Sequence, residues 1–112
     1  MVYNMGALVR IIAHSTLIKF YTNPLYRDSE KALEAWYYEA KHAEWKAPAD
    51  IKHKFRQASF VGNDRVVFNI CGNKYRLIVK VEYTLNRCYI CFVGTHKQYD
   101  AIDAERVRWT SK

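Results

Sequence analysis

From Arg65 to Tyr83, apolar and polar positions alternate around a central Gly72-Asn73. Period-two alternation marks a half-buried strand. A glycine at the first central position suits a two-residue hairpin turn. That turn fixes a register in which Cys71 faces Lys74, Ile70 faces Tyr75, Asn69 faces Arg76 and Phe68 faces Leu77. Successive side chains point to opposite faces of a strand. One face then carries Val66, Phe68, Ile70, Tyr75, Leu77, Val79 and Val81, which is a core. The other presents Asn69, Lys74 and Arg76 beside the turn, with Asn73 in the turn itself.

The same patterning organises the rest of the chain. Residues 1–8 read as a flexible lead, and residues 9–112 as a single domain. Val9 to Ala13 predicts a first strand. Ser15 to Tyr21 predicts a short helix with Leu17, Phe20 and Tyr21 on one side, broken by Asn23-Pro24. Asp28 or Ser29 can cap a second helix over about Glu30 to Glu44, whose Leu33, Trp36, Tyr37 and Ala40 recur at helical spacing. Ala49 to Phe55 predicts another short helix. Phe60 to Val93 is rich in β-branched and aromatic residues, with turn signals at Gly62-Asn63-Asp64, Gly72-Asn73 and Thr84-Leu85-Asn86. It predicts a three-stranded antiparallel meander ended by Gly94. Thr95 and Gln98 then have the spacing of a capping box, so that His96 starts a short helix and shares a face with Tyr99. The tail from Asp103 has no clear period.

Charge narrows the partners. Lys and Arg outnumber Asp and Glu by 18 to 11, a formal net charge of +7, which favours a polyanion such as nucleic acid or an acidic protein. Half the residues are apolar and 15% aromatic, enough to bury a core. No apolar run reaches the length of a membrane span, and Arg10 interrupts the short apolar N-terminal stretch, so a cytosolic, membrane-free location is expected. Of the three cysteines, Cys88 and Cys91 form a C-x-x-C. On a strand that spacing sends the two thiols to opposite faces, and no second pair completes a tetrahedral site. Neither a metal nor a cofactor is expected.

The candidate chemistry lies at the hairpin. Imidazole is the common side chain that exchanges a proton near neutrality, and Arg and Lys stabilise a phosphoryl group as its charge grows. His96, two cations (Arg76 and Lys74), Asn69 and Tyr99 could therefore cleave RNA through its own 2′-hydroxyl. Each has a plainer alternative: a capping histidine, a solvated lysine, an ordinary strand arginine. Lys46, Lys52, Lys54 and Arg56 either track a nucleic-acid backbone or form a charged face. His14, His42 and His53 read as solvated surface positions.

Three segments together, AWYYEAKHAEWKAPADIK (Ala35–Lys52), SFVGNDRVVFNICGNKYRLIVKV (Ser59–Val81) and VGTHKQYD (Val93–Asp100), carry a specific resemblance. From about Val9 to Ile102 the chain resembles the HigB branch of the RelE-like toxins of bacterial type II toxin–antitoxin systems. The resemblance implies a small α+β domain, with helices packed on a twisted antiparallel sheet whose concave face meets RNA. It implies an endoribonuclease that cleaves mRNA in the ribosomal A site, a cognate antitoxin, often of helix-turn-helix type, and contact with operator DNA only through that antitoxin. The YRL at Tyr75–Leu77 matches the segment whose Arg contacts the scissile phosphate, which assigns that role to Arg76. His96 stands about where RelE proper supplies another Arg, and Tyr99 matches the Tyr of THxxYD. RelE proper places lysines on the strand before the turn, where this chain offers Asn69. The alternative is a non-catalytic basic domain of the same fold that binds RNA or a protein.

Overall fold

Residues that tolerate left-handed backbone set the strand boundaries. Asn63, Asp64, Asn86 and Gly72 all have φ between 52° and 68°, the region open to Gly and, at small cost, to Asn and Asp. The computed structural model describes residues 8–108. It runs β1 (Arg10–Ile12), α1 (His14–Thr22), a 3-10 turn (Pro24–Ser29), α2 (Glu30–Lys41), α3 (Pro48–Lys54), β2 (Ser59–Val61), β3 (Arg65–Ile70), β4 (Tyr75–Glu82), β5 (Arg87–Thr95) and α4 (His96–Asp100). The fold is α+β, as expected. The expected lead, apart from Leu8, and the end of the domain at 109–112 lie outside the described residues.

The sheet has five strands in the order β1-β5-β4-β3-β2, the expected three-stranded meander with the expected first strand and one further short strand added to it. The two additions have different causes. At Asn63 and Asp64 the chain reverses, so Ser59–Val61 folds back as a short antiparallel edge on β3. β1 joins by parallel pairing with β5, Arg10 opposite Arg87. The hairpin register is as read, with Ile70 opposite Tyr75, Asn69 opposite Arg76 and Phe68 opposite Leu77. Cys71 also turns left-handed, at φ 57°, so the ladder stops at Ile70 and Tyr75. The Lys74 N–H to Cys71 carbonyl bond, at 3.2 Å, closes the turn.

Along β4 and β5, Ile78 pairs with Phe92 but Val79 pairs with Ile90, leaving Cys91 as an extra residue in a bulge. Cys88, Ile90 and Val93 face the helices, while Cys91 and Phe92 face the other way. The two thiols of the C-x-x-C are thus on opposite faces, as expected.

The helix-side core holds every residue assigned to it from the alternation, together with Leu17, Leu33, Trp36 and Ala40. Phe68 is its hub. Its ring lies 5.4 Å from Trp36, 6.4 Å from Trp45 and 5.0 Å from Phe55, centroid to centroid. Phe68→Ala is expected to cost about 3–5 kcal/mol, because these rings cannot close the gap. Urea unfolding followed by circular dichroism measures it, and a loss below about 1 kcal/mol would mean that they do collapse inward.

The opposite face is only partly open. Its middle row, Val67 and Ile78 with Cys91, lies under Ile102, Ala104 and Val107 of the tail. Arg65 fastens that tail by donating to the carbonyls of Ala104 and Val107, and Asn63 Nδ2 donates to Glu105 O at 2.8 Å. The aperiodic tail is therefore a roof, and the polar patch is confined to the hairpin end. His14 also departs from expectation. It is half-buried, 2.7 Å from Glu34 and stacked on Tyr37 at 3.7 Å, and is not a solvated position.

Candidate functional site

Strand pairing lines up Asn69, Arg76 and Gly94 across β3, β4 and β5. The backbone N–H of His96 donates to Lys74 O at 3.2 Å, so α4 springs from the edge of the hairpin tip. Its capping box forms as predicted: Gln98 N–H donates to Thr95 Oγ1 at 3.1 Å, and Thr95 N–H donates to Gln98 Oε1 at 2.9 Å. A Cβ on Gly94 would lie 2.6 Å from the Phe92 ring and 2.7 Å from Gln98 Oε1, so a side chain here would have to push aside that ring and the oxygen that completes the cap.

Arg76 is only 9% exposed. Its Nη1 donates to Asn73 O at 3.1 Å and Tyr75 O at 3.2 Å, and its Nη2 donates to Asn73 Oδ1 at 2.7 Å. Its guanidinium carbon lies 5.8 Å from the centre of the Tyr99 ring. Packing and hydrogen bonds thus fix this charge before any substrate arrives. The Tyr99 ring is 6.4 Å from that of His96. His96 is half exposed, and its Nδ1 lies 3.4 Å from Asp100 Oδ2, one helical turn on.

Lys74 pairs with Asp28, whose other carboxylate oxygen accepts from the Tyr75 hydroxyl. The bonds from Lys74 and then Tyr75 hold the Asp28 carboxyl below its ordinary range, and the Asp28 bond raises the Lys74 ammonium. Burial, with Asp28 second, pushes Tyr75 up to about 12. In the 3-10 turn beside Asp28, Tyr26 accepts a bond from Gln98 Nε2 at 3.3 Å.

The basic residues outside the hairpin divide. Lys54 and Arg56 line a cavity of about 360 Å³ that reaches Asn69, and Asn69 Nδ2 lies 3.4 Å from Gln57 Oε1. Lys54 also pairs with Glu39 at 3.6 Å. Lys52 donates to Ala58 O at 2.7 Å and secures the loop into β2. Lys46 sits at the start of α3, where its backbone N–H donates to Asp50. Neither Lys46 nor Lys52 borders that cavity.

Asn69, Asn73, Lys74, Arg76, His96 and Tyr99 therefore form one chain of neighbours. The sequence does not reveal three others. Asp100 is four residues from His96, and that spacing is a signal that could have found it. Asp28 reads locally as a helix cap and Tyr26 carries no local signal, because both reach the site across some 46 or more residues of chain. Among the described residues, no cluster of three or more His, Cys, Asp or Glu could hold a metal ion, and no helix is long and apolar enough to cross a membrane.

A family model described as HigB_toxin, the RelE-like toxic component of a toxin-antitoxin system, matches residues 29–102. The mRNA interferase toxin HigB of Escherichia coli (strain K12) and the mRNA interferase HigB of Shigella flexneri are each 45% identical to it over 38 residues. That stretch covers 34% of this chain and 36% of either relative, so the chain spans about a third of the length of the curated relatives it matches. With the family model covering most of the domain, the chain belongs to the HigB family of RelE-like toxins.

Proposed function

We propose that the chain is an mRNA interferase that cleaves translated message in the ribosomal A site without a metal cofactor. The observation that best supports this reading is the backbone bond from His96 N–H to Lys74 O, which brings the start of α4 against the strand that carries Arg76. In the reaction, the 2′-hydroxyl gives up its proton and its oxygen bonds to the adjacent phosphorus. The bond from phosphorus to the 5′-oxygen breaks, and that oxygen takes up a proton. The products are a 2′,3′-cyclic phosphate and a 5′-hydroxyl.

His96 transfers a proton at one end of this exchange. Arg76 and Lys74 neutralise the phosphoryl oxygens, Asn69 orients a phosphate or base, and Tyr99 orients or stacks. Asn73 and the basic side chains Lys46, Lys52, Lys54 and Arg56 extend the contact with RNA, of which Lys54 and Arg56 lie nearest Asn69. Family membership brings a cognate antitoxin. We assign it to the helix-turn-helix type, with operator DNA reached only through it and the toxin acting in the bacterial cytoplasm.

Induced alone in bacteria, the chain is expected to arrest growth and deplete translated messages, as measured by culture density and message profiling. Normal growth with intact message at high soluble expression would overturn the toxin reading. A second reading, a binding domain that cuts nothing, is favoured by one observation: Arg76 and Lys74 already have partners within the chain, in Asn73 and Asp28.

A further inference from the structure

Lys74 leaves the tip of a hairpin, on a flexible stem of four carbons that does not fix where its charge sits. Asp28 does. One carboxylate oxygen accepts from the Lys74 ammonium and the other from the Tyr75 hydroxyl. Tyr75 is itself almost fully buried and meets Phe20 at 5.5 Å and Tyr26 at 6.1 Å edge-on. Cys71 Sγ adds a weak contact to Asp28 O at 3.7 Å, so the 3-10 turn is tied to both flanks of the hairpin tip. The same turn reaches α4 through Tyr26 and Gln98.

We propose that Asp28 is a positioning residue for the cleavage reaction, holding the Lys74 ammonium where the scissile phosphate will lie. This rests on the nuclease reading. An ammonium has three donors, so Lys74 can keep Asp28 and still bond a phosphoryl oxygen. The arrangement carries an opposing effect. The Asp28 carboxylate repels the incoming phosphate, which weakens RNA binding while it orders the lysine. Removing that charge should therefore separate rate from affinity in opposite directions. The pair is also half exposed, at 59% for Lys74 and 44% for Asp28, and exposed pairs add little to stability. Asp28→Asn keeps an acceptor for Tyr75 and should fold as wild type does.

The test is cleavage of a defined message on programmed ribosomes, with kcat and KM measured for Asp28→Asn, Asp28→Glu, Lys74→Ala and the double variant that combines Asp28→Asn with Lys74→Ala. In Asp28→Asn, kcat should fall about tenfold while KM stays level or drops, a split that a merely structural lesion does not produce. Asp28→Glu should recover part of the rate. In the Lys74→Ala background the Asp28 substitution should add no further loss, since its effect runs through the lysine. Additive losses, or a wild-type kcat in Asp28→Asn, would overturn the proposal and leave the nuclease reading standing. A wild-type chain that cuts nothing on ribosomes would overturn both.

Discussion

Replacing His96 by alanine is expected to slow single-turnover cleavage of ribosome-bound message by about 10²-fold or more, the usual scale of general acid–base catalysis. Ribosome affinity should barely change. The loss should be clean, because His96 is half exposed and its N–H bond to Lys74 O belongs to the backbone, so α4 stays seated in any variant. His96→Gln keeps a hydrogen-bonding side chain without the titration and should be nearly as slow. Rates at saturating ribosome for both variants beside wild type decide the matter. A fast glutamine variant would mean that His96 only positions RNA. Retained binding with no cleavage by wild type would instead establish the non-cutting reading.

Arg76→Ala is expected to lose about 10²–10³-fold in the same rate, the cost of removing a preorganised donor from a developing charge. Arg76→Lys should recover only part, since a point charge cannot replace a forked donor. Here the structure adds a complication. The guanidinium also holds the turn through the exposed Asn73 and the buried Tyr75 carbonyl, and leaving that carbonyl bare costs about 1–3 kcal/mol. Melting curves must therefore accompany the rates. If Arg76→Ala recovered its full rate on cooling to where it is wholly folded, Arg76 would be a turn-holding residue and the phosphate would have to rely on Lys74.

What is legible in the sequence is what local rules determine. Gly72-Asn73 with its flanking alternation sets the pairing of Asn69 with Arg76, and the Thr95/Gln98 spacing sets the start of α4. Both depend on residues a few positions apart. What is hidden depends on distant partners. Nothing near Asp28 says that it meets Lys74, and nothing near Arg10 says that β1 runs parallel to β5. The tail from Asp103 has no period because a few apolar residues, Ile102, Ala104 and Val107, are enough to roof one sheet row, with Arg65 fixing their carbonyls. α2 ends at Lys41, three residues earlier than its apolar spacing suggests. From there the chain leaves to pair Ala43 O with Val9 N–H and to bury Trp45.

The extra residue in β5 settles a matter of parity. Counted from Cys88 without interruption, even-numbered positions would face the helices throughout, so Gly94 would point into the core and Val93 into the open site. Because Cys91 is stepped over, the count restarts, and Val93 is inside while Gly94 lies beside Arg76. The chemistry at the strand's end is therefore in phase with β4, not with the first half of its own strand. A relative that lacked one residue at this point would present the same two faces on an unbroken strand. Matching sequences through residues 90–92 without a gap would then pair core positions with site positions.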